Sequence, residues 1–180
     1  MPDEPGAYHL LFYEEDLDMA KEIGLDVFRT GVEWALLEPA EGRYSRETLL
    51  LFRDYLSSIR QRGLNSWVTL HHFTNPRWVW RRGGWESKEV AKRFLAYVDY
   101  VARELGDLID VALIFNEPNM YTFLAYVKGD LPPFGFLSLR HMQRASQVID
   151  DTILAARDVL KSYGLKTSFT HSFTIFKTKI

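Results

Sequence analysis

Four times along this chain an amphipathic helical stretch runs to a glycine and is followed at once by a β-prone run, and that repeated unit limits the fold more than any other feature. Leu17, Ala20 and Ile23 recur at helical spacing from Glu14 to Ile23, Gly24 stops the helix, and Leu25 leads into Val27-Phe28. Leu49, Phe52, Leu56 and Ile59 form the next face, Gly63 the next stop, and Ser66 to Leu70 the next strand. Ser87 is placed to cap a helix carrying Val90, Phe94, Val98, Val101 and Leu105, with Gly106 ending it before the apolar run Val111 to Phe115. A fourth helix from Arg140 to Tyr163 ends at Gly164, and Leu165 to Phe169 enter a last strand, whereas Phe173 to Ile180 match no element. Strands too buried to keep a polar alternation, separated by amphipathic helices, predict an α/β fold with a parallel sheet and helices outside it.

The strands begin roughly 40 to 60 residues apart, longer than the roughly 30 per unit of a minimal eight-stranded barrel, so loops must carry extra material. The chain opens on a helix with no strand before it, and about four strands follow, half of what barrel closure requires. Residues 1–180 are therefore expected to form a partial (β/α)8 TIM barrel without its first strand and its C-terminal strands.

Positive and negative side chains nearly balance, 22 Lys and Arg against 24 Asp and Glu, which provides no basic stripe for nucleic acid and no basic amphipathic helix for a membrane surface. No apolar run approaches a membrane span. The absence of cysteine excludes a disulfide framework and thiolate metal sites, and the start Met1-Pro2-Asp3-Glu4 lacks the order of a signal peptide, so a cytoplasmic location is expected.

In a parallel barrel, chemistry gathers at the carboxyl ends of the strands. Here those ends read Glu33-Trp34, His71-His72-Phe73 and Asn116-Glu117-Pro118, whereas the helix-to-strand turns carry Gly and Leu. Glu117 follows five apolar residues and an Asn, a position where partial desolvation favours the neutral carboxyl that a general acid needs. Pro118 stiffens the turn, and the Asn116 amide can bond a sugar hydroxyl. The plainer alternative is an exposed loop carboxylate beside an Asn turn. His71 and His72 suggest a metal pair, but adjacent strand residues point to opposite faces, so one histidine lines the core and the other faces the mouth. Arg29, a guanidinium within an apolar strand, needs an anionic partner, either in a structural ion pair or in a catalytic carboxylate. Trp34, Phe73, Trp78, Trp80 and Trp85 cluster at or after strand ends, where flat rings suit a pyranose or ordinary packing; mid-strand Trp67 is read as core. Glu14-Glu15-Asp16 is read as a solvated first helical turn.

Taken in order, Tyr13-Glu14-Glu15-Asp16-Leu17, Phe28 to Trp34, Thr69 to Pro76, Gly84-Trp85 and Phe115 to Asn119 make the chain similar to family 1 glycoside hydrolases, especially archaeal β-glycosidases, from about Tyr8 to about Gly164. The resemblance implies a (β/α)8 barrel that hydrolyses β-linked glucosides or galactosides with retention, without metal or organic cofactor. On that basis Glu117 matches the acid/base and Asn116 the residue bonding the sugar 2-hydroxyl. His72 matches a histidine that binds a glycon hydroxyl, Phe73 stands where the family often has Trp, and Arg29 matches the arginine lying against the nucleophile. No stretch here resembles the family's first strand or the later strands bearing the nucleophile, and Lys177 to Ile180 are read as out of the ancestral frame.

The chain is thus expected to be the acid/base half of a retaining β-glycosidase, inactive alone, with a β-linked oligosaccharide or glycoside as ligand and with self-association or a complementary chain to close it. The alternatives are a non-catalytic remnant that binds sugar or only assembles, another retaining barrel glycanase, and a metal-dependent barrel hydrolase.

Overall fold

The computed structural model describes residues 9–173; the start at Met1 to Glu4 and the closing Lys177 to Ile180, on which readings were made above, lie outside them. Helix α1 (His9–Glu22) leads to strand β1 (Val27–Gly31), and short helix α2 (Trp34–Leu37) precedes α3 (Arg46–Gln61) and β2 (Asn65–Thr69). Short α4 (Arg77–Arg81) and long α5 (Lys88–Leu105) come before β3 (Val111–Leu113). Short α6 (Pro118–Phe123), a π-helical turn at Leu124–Lys128 and α7 (Leu139–Ser162) come before β4 (Lys166–Ser168). The extra loop material expected from the strand spacing is thus α2, α4, α6 and the segments around them.

All four strands are parallel and pair in the order β1-β2-β3-β4, as a partial TIM barrel requires, and the sheet does not close. Register sets two faces. Thr30, Val68, Ala112 and Thr167 align across it; Val68 and Ala112 are buried, and the Tyr55 hydroxyl of α3 donates to Thr30 Oγ1 at 2.8 Å, so this face packs under the helices. Arg29, Trp67 and Val111 align on the opposite, inner face. Trp67 is 39% exposed there, which corrects its reading as core: on that face Thr69 is buried beside Arg29, but Trp67 itself is left partly open.

The long helices follow their apolar spacing. In α3, Leu49, Phe52, Leu56 and Ile59 are all buried, and Ser45 caps the first turn by accepting from the Thr48 amide at 3.1 Å. Fully burying side chains of this size contributes about 1.5–3 kcal/mol each. Gly24, Gly63 and Gly164 take the left-handed backbone that ends a helix. Gly106 does not: α5 tightens into a 3-10 turn through Leu108 instead. Ser87 occupies the N-cap position of α5, but its side chain makes no capping bond.

Near the amino end two expectations change. Ile23 is 70% exposed, because α1 packs through Leu17 and Ala20 and has finished by Glu22. The acidic run Glu14-Glu15-Asp16 lies in the middle of α1 rather than its first turn, and Glu14 and Asp18 share Arg62 at 2.6 and 2.7 Å. Trp34, Trp78 and Trp85 are buried, with Phe94, Tyr97 and Phe115, in an aromatic cluster, Trp34 meeting Trp78 edge-on at 5.4 Å and Trp85 meeting Phe94 at 5.3 Å. These three rings are core and cannot stack on a ligand. Phe73 and Trp80 keep access to a cavity.

Candidate active site at the strand ends

The carboxyl ends of β1, β2 and β3 meet around one amide. Asn116 follows β3 and is nearly buried. Its Oδ1 accepts from Arg29 Nη2 at 2.5 Å and from Thr170 Oγ1 at 2.9 Å. Arg29 is steadied from β2 by Nε donating to Thr69 Oγ1 at 3.2 Å. With two donors already on its oxygen, the amide has one defined orientation, and its Nδ2 donors remain for a ligand oxygen. The alternatives left open for Arg29 thus acquire a third partner, a neutral amide, among the described residues.

Glu117 comes next. Its backbone is left-handed, φ 43°, ψ 61°, a conformation that non-glycine residues rarely adopt and that neighbouring bonds must hold. Its amide donates to the Thr170 carbonyl at 3.0 Å and lies 3.1 Å from Thr170 Oγ1, while its own carbonyl accepts from the Tyr121 amide at 2.9 Å in the first turn of α6. Pro118, first in that helix, needs no amide partner there. The side chain is half-buried at the open mouth. Thr170 was not singled out from the sequence; its signal was its place just after β4, the same strand-end position that marked the others.

The two histidines face different surroundings, as expected, although both lie just past the end of β2. His71 is 1% exposed, stacks on Phe115 at 3.8 Å, and has Nε2 3.1 Å from Asn75 Oδ1; Asn75 also accepts from Trp85 Nε1 at 2.9 Å and donates to the Tyr121 hydroxyl at 3.0 Å. Burial lowers the His71 pKa to about 3, keeping the ring neutral. His72 turns to the open side and feels Arg29, Glu117 and Glu33. Burial first, then the Arg29 guanidinium, holds its pKa below the ordinary histidine range, against the opposing pull of the two carboxylates. A neutral His72 can both donate to and accept from a hydroxyl. Because the two rings face different surroundings, they do not form a metal pair.

Phe73, also left-handed at φ 71°, lines a cavity of about 590 Å³ with Glu33, Thr74, Arg77, Trp80 and Leu131. Glu33 accepts a hydrogen bond from the Thr74 hydroxyl. The mouth therefore collects a carboxyl, a directed amide, a neutral imidazole, a guanidinium and an aromatic ring. That set can bind hydroxyls and transfer a proton.

His71 also predicts a pH dependence of stability. Its folded pKa lies below the ordinary 6.5, so the unfolded chain binds more protons between the two values, and stability should fall as pH drops from 6.5 toward 3, by roughly 1.4 kcal/mol per pH unit at most. In acid titrations followed by circular dichroism, His71→Phe should flatten this slope. An unchanged slope would place the acid sensitivity in other groups.

The model of glycosyl hydrolase family 1 matches residues 4–174. Over 125 residues the chain is 33% identical to the β-glucosidase-like protein SFR2, chloroplastic, of Oryza sativa subsp. japonica, covering 66% of this chain and 19% of that protein. It is 31% identical to β-glucosidase 1 of Arabidopsis thaliana over 123 residues, 67% of this chain and 24% of the other. The chain thus spans about a fifth to a quarter of the length of these curated relatives. Among solved structures, a β-glycosidase from Pyrococcus horikoshii superposes with a TM-score of 0.85 at 26% identity, over 91% of this chain and 38% of that one. The virulence factor SghA, solved with its substrate analog salicin, superposes with a TM-score of 0.81 at 26% identity, over 89% of this chain and 36% of that one.

Proposed function

This chain belongs to glycosyl hydrolase family 1, and from that premise we propose that it supplies the acid/base half of a retaining β-glycosidase site acting on β-linked glycosides. The observation that carries the reading is the Asn116 amide, whose oxygen is occupied by Arg29 and Thr170 and whose Nδ2 is left to meet a ligand oxygen beside Glu117.

In the first step the Glu117 carboxyl donates its proton to the glycosidic oxygen as the bond from that oxygen to the anomeric carbon breaks. A second carboxylate, contributed by strands beyond those described, attacks the carbon from the opposite face. In the second step the Glu117 carboxylate takes a proton from the water that displaces the sugar, which restores both groups. Asn116 Nδ2 bonds the hydroxyl next to the reacting carbon, and that bond strengthens as positive charge develops there. Neutral His72 holds another hydroxyl of the same sugar. Arg29, already turned toward the mouth by Thr69 and Asn116, is placed to lie against the incoming carboxylate.

The test uses a chimera in which the corresponding remainder of the Pyrococcus horikoshii β-glycosidase completes the barrel. Asn116→Ala should reduce kcat/KM far less for a 2-deoxyglycoside than for its parent, because the bond the substitution deletes is already missing from that substrate. Equal losses on both would mean that Asn116 acts through Arg29 and Thr170 and not on the sugar.

A further inference from the structure

The chain segments of β3 and β4 stay paired after both have ended as regular strands. The Ile114 amide donates to the Ser168 carbonyl at 2.9 Å, the Thr170 amide to the Phe115 carbonyl at 3.3 Å, and the Glu117 amide to the Thr170 carbonyl at 3.0 Å. In a parallel ladder, alternate residues of one strand bond the neighbouring strand through both their own N–H and C=O. Ser172 is the next residue due such a pair, and the backbone groups opposite it are the Glu117 carbonyl and the Asn119 amide. The Glu117 carbonyl has already turned away, accepting from the Tyr121 amide at 2.9 Å to open α6, and Asn119 lies inside that helix.

Asn119 fills both places with its side chain. Its Nδ2 donates to the Ser172 carbonyl at 2.8 Å, and its Oδ1 accepts from the Ser172 amide at 3.3 Å. A carboxamide carries the same donor and acceptor as a peptide group, so it closes the rung that the backbone gave up. Asparagine is a modest helix former because its amide competes for backbone groups. Here, at the second position of the six-residue α6, that competition is directed onto another segment.

The clamped segment is the one that orders the site. Thr170, two residues before Ser172, fixes the Glu117 amide with its carbonyl and Asn116 Oδ1 with its hydroxyl. Glu117 holds a left-handed backbone that a residue with a side chain keeps only when its surroundings over-determine it. Freeing Ser172 would leave Thr170 to hold that turn with no anchor beyond it.

We propose that Asn119 is a positioning residue for the proton transfer, clamping the segment after β4 against the Glu117 turn and so keeping the carboxyl in place at the mouth. The assignment rests on the acid/base reading of Glu117, and Asn119 acts through Ser172 and Thr170 and not on the substrate.

The clamp is tested first by backbone amide exchange in the 180-residue chain and in Asn119→Ala. The Glu117 amide should exchange roughly 10-fold faster in the variant, while amides of α5 keep their rates. In the completed chimera, Asn119→Ala should lower kcat/KM roughly 10- to 100-fold for an alkyl glycoside and far less for a dinitrophenyl glycoside, whose leaving group needs no proton from Glu117. Asn119→Asp has the same size and keeps the acceptor for the Ser172 amide, but it sets a carboxylate against the Ser172 carbonyl and should give the same pattern. Unchanged exchange at Glu117, or equal losses on the two glycosides, overturns the inference. Exchange that quickens as much in α5 as at Glu117 also overturns it, because Asn119 would then support the whole fold. A parent chimera without turnover would instead count against the acid/base reading, and the exchange rates of the two variants would then decide the clamp.

Discussion

In the completed chimera, Glu117→Gln is expected to lower kcat/KM, which reports the bond-breaking step, roughly 10²- to 10⁴-fold for glycosides with alkyl or sugar leaving groups, and much less for a dinitrophenyl glycoside. The difference arises because an alkoxide cannot leave without a proton, whereas dinitrophenolate is stable as an anion. Gln matches Glu in shape and keeps the backbone bonds to Thr170 and Tyr121 that hold the left-handed turn, so the substitution removes a proton donor without remodelling its support. The second step should also slow for both substrates, since the amide cannot take a proton from water. Measuring both leaving groups side by side decides the matter: an equal loss in the bond-breaking step for the two would remove Glu117 from the acid role.

The second large effect is expected of the chain on its own: no measurable hydrolysis of aryl β-glucosides or β-galactosides, and a mass in solution above that of a monomer. Retention needs a second carboxylate roughly 5 to 5.5 Å from the first. Glu33, which also faces His72, follows β1, two strand spacings or about 9–10 Å from β3 at the backbone. That separation suits a water between two carboxylates better than direct attack. The sheet ends at β1 and β4 leave backbone groups free to pair among the described residues, and exposed Val27 and Trp67 leave its inner face apolar, so association with another chain or copy is favoured. Light scattering and an aryl glycosidase assay beside Glu117→Ala test both parts. A stable monomer whose turnover disappears in Glu117→Ala would overturn them, and an inverted product would then identify Glu33 as the partner.

Much of the fold was legible in sequence because its determinants are local. Apolar spacing set the buried faces of α3 and α5, and Gly24, Gly63 and Gly164 ended helices where a residue without a side chain turns most easily. That His71 and His72 face different surroundings was expected from strand alternation, although both lie just past the end of β2. The positions of His72, Asn116 and Glu117 followed from the rule that parallel strands present chemistry at their carboxyl ends, whereas Arg29 lies within β1.

Tertiary structure decided what depends on partners distant in the chain. Three of the five aromatic rings clustered at the strand ends proved to be core, since a tryptophan's composition is equally suited to packing and to sugar, and only the neighbours it meets choose between them. Trp67 was misread because burial of a strand depends on what covers each face, which its own residues do not state. Thr170 escaped notice because its place after a short strand was its only signal and a threonine hydroxyl has no distinctive chemistry of its own. Parallel register brings it against Asn116, 54 positions away, and the fixed lengths of the hydrogen bonds across the sheet turn an ordinary hydroxyl into the group that orients the site's amide.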